Sequence, residues 1–225
     1  MTLTFVDDQI KNADYEVKEG ETLNLNFASF NAFSSFEINA KIHANATINV
    51  AFADLSSGTG TIKANIELLG EGASCSWHLA SICGNASVKT IDVCLSHKAP
   101  HTSGIVSNYG IVQGESKLNF LGVSEIQKGA SSSSTRQEAK IIVFDEKCQG
   151  KAMPILKIDE NDVAASHAAV VGKLNEQHLF YLLSRGISLP VARKLLTLGY
   201  LKPIEKYFDD ETLRAKIDET IEGGI

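Results

Sequence analysis

Arginine is scarce in this chain: there are four, Arg136, Arg185, Arg193 and Arg214, among 225 residues. Lys and Arg together number 21 against 27 Asp and Glu, for a formal net charge of −6, and no basic cluster stands out. Neutralising phosphates requires a basic face, so nucleic acid is excluded as the expected partner. Cysteine is also sparse. Cys75, Cys83, Cys94 and Cys148 are irregularly spaced and form no C-x-x-C pair, which excludes a zinc ribbon and a thioredoxin-type centre and leaves reduced, buried thiols as the expectation. No apolar run approaches the roughly 18 residues that span a bilayer. The opening MTLTFVDDQIKN lacks the basic-then-apolar order of a signal peptide, so no membrane role is expected and the cytoplasm is the expected compartment. A P-loop pattern is missing too, so any ATP dependence must come from another chain.

What is present is alternation. From Phe36 to Phe52 every even position is apolar and the odd positions are mostly polar, a period of two that marks a sheet with one buried and one wet face. The same pattern recurs at Leu23-Leu25-Phe27, Ile62-Ala64-Ile66-Leu68, Ala73-Cys75-Trp77-Leu79 and Ile91-Val93-Leu95. Short turns at Ser56-Ser57-Gly58, Gly70-Glu71-Gly72, Gly84-Asn85 and Gly114-Glu115 separate these segments, with no crossover helix between them. Many short strands without helices make a sandwich, a barrel or a solenoid. The small apolar residues Ala40, Ala44, Ala46, Ala64 and Ala73 suit a narrow interior of closely stacked coils. No strict hexapeptide repeat is present, which disfavours a regular left-handed acyltransferase helix.

Past residue 170 the period changes. Asn175 is a candidate cap for a helix that Gly186 would end, and Ser188 for a second helix with Pro190 in its first turn and Gly199 as its stop. Asp209 or Asp210 can cap a third, with Leu213, Ile217 and Ile221 as its apolar stripe. Helices this short are marginal alone and must pack on the strands or on a partner.

The run from Pro154 to Leu201, PILKIDENDVAASHAAVVGKLNEQHLFYLLSRGISLPVARKLLTLGYL, resembles the C-terminal signature of the SufB/SufD family, scaffold subunits of the SUF iron–sulfur cluster assembly machine. Ser166-His167-Ala168 and Phe180-Tyr181-Leu182-Leu183-Ser184-Arg185-Gly186-Ile187 carry that resemblance. Upstream, Ser96-His97-Lys98-Ala99-Pro100-His101-Thr102-Ser103 and Asp145-Glu146-Lys147-Cys148 are similar to two further family regions. The resemblance implies a mainly β fold, a right-handed β-helix core over residues 1–172 followed by a small helical domain over 173–225. An additional N-terminal helical region, usual in the family, is not seen before the strand pattern begins. The resemblance further implies a SufC-like ABC ATPase docked through the helical end, with Leu179, Tyr181, Leu182, Arg185, Gly186, Leu195 and Leu198 as candidate contacts. It also implies pairing with itself as a homodimer, or with a SufB-like paralogue, through the later strands near Ile141 to Ile158.

Two departures bear on chemistry. The SufB type carries a cysteine nine positions before the one that Cys148 resembles, and a glutamate directly after the histidine that His167 resembles; here these positions are Ala139 and Ala168, which bind neither iron nor sulfur. The chain therefore looks like the SufD type, a non-enzymatic accessory subunit. No cluster is expected on the isolated chain, and at most a transient one in the complex. His167 and Cys148 remain the cluster-assembly or interface candidates: an imidazole can bind iron, and a thiolate near Lys147 and Lys151 can accept sulfur. Their plain alternatives are a hydrogen-bonded histidine at the end of the sheet and a small residue in a turn. Cys75 and His78 form a C-x-x-H whose side chains would point to opposite faces of a strand, and Pro100 between His97 and His101 argues for an extended turn rather than a metal pair. The competing class is a β-helix carbohydrate-active enzyme or acyltransferase. A lyase would want clustered carboxylates with a basic residue over a groove, and the scarcity of arginine weighs against it.

Overall fold

The computed structural model describes residues 1–31, 35–174 and 176–224. The strands are β1 (Thr2–Val6), β2 (Ala13–Val17), β3 (Thr22–Ser29), β4 (Phe36–Ile42), β5 (Thr47–Asp54), β6 (Gly60–Leu68) and β7 (Ser74–Cys83), then β8 (Val88–His97), β9 (Ser103–Val112), β10 (Lys117–Ile126), β11 (Ser133–Val143), β12 (Gln149–Ile158) and β13 (Val163–Lys173). The odd strands form one seven-stranded sheet in the order β1-β3-β5-β7-β9-β11-β13, and the even strands from β2 to β12 form a second, six-stranded sheet. Each strand pairs in parallel with the strand two further along, so the chain winds as a two-sheet solenoid, one odd and one even strand per coil.

The alternation explains why the coils stack. Parallel register brings equivalent positions into columns: Leu25, Val50, Trp77 and Val106 lie side by side on the inner face of the odd sheet. They are at most 3% exposed. In the N-terminal coils Phe5, Phe27, Phe36 and Phe52 interlock with centroids 5.4–6.2 Å apart. The seventeen-residue alternation from Phe36 to Phe52 is not one strand. It is cut into β4 and β5 by a corner at Asn45, which adopts φ +54, and the two halves enter different sheets. The corner preserves the phase, so Ile42 and Ala46 are both fully buried.

Where the inner phase meets a charge, the charge is paired. Asp54 ends β5 and Lys89 is the second residue of β8, both on inward positions and both 0% exposed. Lys89 Nζ donates to both Asp54 carboxylate oxygens at 2.9 Å and to the carbonyls of Ser56 (2.7 Å) and Ile82 (2.8 Å). The Ser56 and Ser81 hydroxyls complete the carboxylate's bonding at 2.9 and 2.7 Å. Two charges removed from water are tolerable only when each lone pair and proton finds a partner in this way.

After β13 come α1 (Glu176–Ser184), α2 (Leu189–Leu201), a 3-10 segment at Lys202–Tyr207 and α3 (Glu211–Gly223). Gly186, at φ +81, ends α1 as expected, and the Ile187 N–H reaches back to the Leu182 carbonyl at 3.2 Å. Asn175, the expected cap of α1, lies outside the described residues. Ser188 is the N-cap residue of α2, but its side chain makes no capping hydrogen bond. Gly199 does not stop α2: the helix runs to Leu201, because Leu201 and Ile204 are drawn onto the sheet, and it tightens only where Pro203 removes a backbone donor. α3 matches its pattern fully. Asp210 Oδ1 accepts from Thr212 N (2.8 Å) and Leu213 N (3.0 Å), and Leu213, Ile217 and Ile221 are buried. Together with Leu201, Ile204 and Phe208 they form a second core against Ala53, Ala80, Ile82, Ile111 and Ile142 on the outer face of the odd sheet.

Candidate functional site

The C-terminal end of the solenoid is uncovered. β13 pairs only with β11 and β12 only with β10, so each carries a free edge. β13 is exposed along almost its whole length, with Val170 55% and Val171 42% accessible, and on β12 Met153, Ile155 and Ile158 are 36–40% accessible. β11, by contrast, lies between β9 and β13. Of the span Ile141 to Ile158 in which pairing is expected, the Ile141–Val143 part therefore has no free edge, because β13 already occupies it.

His167 sits midway along β13, opposite Gln137 of β11. Residues paired in parallel register share a face, so His167 lies on the inner side of the open end. Gln137 beneath it is held by its Nε2 donating to Ser124 Oγ (2.7 Å) and to the Ile155 carbonyl (3.1 Å). Gly122 makes room: a Cβ there would fall 2.7 Å from Gln137 Oε1. Ala168, the neighbour of His167, points to the opposite face, in register with Glu138. Ala139 is an inward, buried residue of β11.

Cys148 occupies the corner that enters β12. Its Sγ lies 3.1 Å from the Asp145 carbonyl and 3.2 Å from the Val112 carbonyl, Asp145 N approaches it at 3.4 Å, and the residue is 6% exposed. Lys147 is engaged with Glu115 at 2.6 Å. A Cβ on Gly150 would lie 3.0 Å from Val171 Cγ1, so the start of β12 is level with a point four residues beyond His167. At about 3.3 Å per residue that is roughly 13 Å, so one protomer does not bring Cys148 and His167 together. Among the described residues no group of three or more His, Cys, Asp or Glu side chains is placed to hold a metal ion.

An apolar part of the helical surface is also open. Phe180, Tyr181, Leu183, Leu189, Val191 and Leu195 are 41–73% accessible. Of the residues expected to contact an ATPase, Tyr181 and Leu195 belong to this surface, Leu179 and Leu182 are half-buried, and Leu198 packs toward the second core. Arg185 lies over the Tyr181 ring, 5.1 Å from its centroid. Phe180, the most exposed of the set, is not among the expected contacts, although it stands inside the motif. No described helix is long and apolar enough to cross a membrane.

The core-domain model of SufBD, the SUF-system FeS cluster assembly family, matches residues 15–200. The chain belongs to the SufBD family. It is 35% identical over 126 residues to the iron–sulfur cluster assembly protein SufD of Bacillus subtilis, covering 56% of this chain and 29% of that protein. It is 27% identical over 165 residues to SufBD family proteins of Staphylococcus haemolyticus and Staphylococcus epidermidis, covering 73% of this chain and 36% of each. The matched region thus spans about a third of the length of these relatives.

The stretch Ser96 to Ser103, which the expected site did not use, has a clear structural place. His97 is fully buried, its Nδ1 is 2.8 Å from Thr102 Oγ1, and the Thr102 hydroxyl is 2.8 Å from Ser133 Oγ in the next coil. Gly104 clears the space for the ring, since a Cβ there would lie 3.1 Å from Nε2. His101 adopts φ +58 at the corner and is exposed, so the two histidines share no site. Burial pushes His97 down to about 4. The depressed value means that the unfolded chain takes up a proton as pH falls below about 6.5 while the folded chain resists until about 4, so stability drops across that window and the penalty is complete below it. His78, also pushed down to about 4 by burial and then by Lys206, adds in the same direction. Urea unfolding of wild type and a His97→Gln variant at pH 7.5 and 4.5 should show about 2–3 kcal/mol of this loss in wild type and a correspondingly shallower pH dependence in the variant. Equal pH slopes in both proteins would remove His97 as the cause.

Proposed function

We propose that this SufBD chain is a non-catalytic accessory scaffold of iron–sulfur cluster assembly, resembling the SufD type. It pairs with itself or with a SufB-like subunit through the free β12 and β13 edges, and it docks a SufC-like ABC ATPase through the exposed faces of α1 and α2. The observation that supports this reading most is the coincidence of two uncovered surfaces, the open solenoid end bearing His167 and the apolar helical face, on a fold whose family assembles clusters. Edges of this kind are normally paired or covered. An apolar helical face is suited to laying into a groove on a partner.

In this reading no reaction belongs to the chain alone. Ala139 and Ala168 supply no thiolate or carboxylate, Cys148 is turned into its corner, and a cluster usually wants four thiolate-class ligands. Any cluster is therefore transient and completed by the partner, with His167 contributing from the open end. The proposed compartment is the cytoplasm.

Co-purification with the cognate ATPase tests the docking. Leu183→Asp with Leu195→Asp places two charges on side chains that are 41% and 46% accessible, so folding should be untouched. The ATPase complex should weaken by about 100-fold or more, since interface centres tolerate unpaired charge poorly. Undiminished co-purification with intact circular dichroism would overturn the assignment of this face.

A further inference from the structure

A cleft of about 360 Å³ lies on the outer face of the odd sheet where the packed helical interface gives out. Its floor follows from register. His78, Ser107 and Glu138 stand in one row across β7, β9 and β11, and Ala80, Tyr109 and Lys140 form the next. The small side chains of Ser107 and Ala80 leave the hollow, and Gly199, Tyr200, Pro203 and Tyr207 roof it. A Cβ added at Gly199 would meet nothing within 4 Å, so this point of the lining is open.

The charges around the hollow are unevenly satisfied. Glu138, the carboxylate lining it, is already committed: it accepts the Tyr109 hydroxyl and lies 3.7 Å from Arg136. The two lysines are not matched to any carboxylate among the described residues. Lys140 Nζ rests 4.2 Å from the centroid of Tyr200, and Lys206 Nζ 4.8 Å from that of Tyr207. A ring face holds a cation without neutralising it. His78 stacks on Tyr207 at 4.3 Å, and burial first, with the Lys206 ammonium second, holds its pKa down. A concave pocket above about 300 Å³, with a few convergent polar groups and unneutralised cations, has the size and chemistry of a small-ligand site.

We propose that this cleft binds a small organic anion, a carboxylate or a phosphate monoester, whose charged end meets Lys140 and Lys206 and whose body lies over Ser107 and His78. The hollow is larger than an inorganic oxyanion needs, so an organic body is part of the recognition. The site lies on the outer face of the odd sheet, whereas His167 lies on the inner side of the open end.

The test uses the full chain with three probes: AMP, citrate and inorganic phosphate. Calorimetry at low salt, with each probe at up to about 5 mM, should give saturable binding and a rise in melting temperature for at least one organic anion, and weaker binding for phosphate. Binding of AMP but not citrate assigns the phosphate-ester class, and the reverse assigns the carboxylate class. Lys140→Gln with Lys206→Gln should weaken the bound probe at least tenfold. Gly199→Leu, which adds bulk at the rim of the cleft while suiting a helix, should weaken binding and leave folding intact. The inference fails if no organic probe binds, if phosphate binds as tightly as the organic anions, or if binding is undiminished in both variants.

Discussion

A Lys89→Met variant is expected to lose about 3–5 kcal/mol of stability, because it leaves the Asp54 carboxylate charged, fully buried and without its cation. For a chain of this size that corresponds to a fall of roughly 6–20 °C in melting temperature. The loss is as large as that of a severe core truncation, since the three N–H donors of the ammonium, shared among four acceptors, disappear at once and leave the buried carbonyls of Ser56 and Ile82 without them. The paired variant Asp54→Leu with Lys89→Met should recover much of the loss by removing the orphaned charge, leaving the Ser56 and Ser81 hydroxyls to find new partners. Thermal and urea unfolding of the two variants measures both effects. If the single variant costs under about 1 kcal/mol, the pair does not hold the coil together.

That pair also marks how far the sequence reaches. Asp54 continues the phase of Ile48, Val50 and Phe52, and Lys89 begins the phase of Ile91, Val93 and Leu95. Each is therefore visible as a charge on a buried position, and the opposite signs hint at a match. What alternation cannot supply is the partner, because a period of two says which face is buried but not which strand lies beside it. Strand pairs here join residues about two dozen or more positions apart through corners such as Asn45 and His101, whose left-handed conformations have no strong local signature. The same limit applies to the site. His167 is legible from its motif, yet its place above Gln137 and its distance from Cys148 follow only from coil stacking. The cleft beneath Tyr200 and Tyr207 depends on Ser107 and Ala80 meeting from neighbouring coils. α3 is fully legible because its cap, stripe and length are all local. The end of α2 is not, because contact with the odd sheet overrides Gly199.

Pairing through the solenoid end should be abolished by Val170→Asp combined with Val171→Asp. These neighbours lie on opposite faces of the exposed strand β13, so the double variant places charge on both sides of the free edge. In a two-fold pairing each new carboxylate meets the copies on the partner, and like charges brought together at an interface cost several kcal/mol. A weakening of at least about 100-fold, near 2.7 kcal/mol, is expected in the dimer or in the complex with a SufB-like subunit. Folding should be unaffected, because both valines are solvent-accessible, Val170 stands beside Lys140 of β11, and the inner column beneath Val171 is already closed by the buried Ile141. Sedimentation or light scattering over micromolar concentrations, with and without the SufB-like chain, reads the result. A double variant that pairs as well as wild type would move the interface away from this edge. A wild-type chain that neither self-associates nor binds the SufB-like subunit would leave β13 as a strand exposed on both faces with no cover, a state that parallel sheets, which are ordinarily buried, do not sustain without a partner.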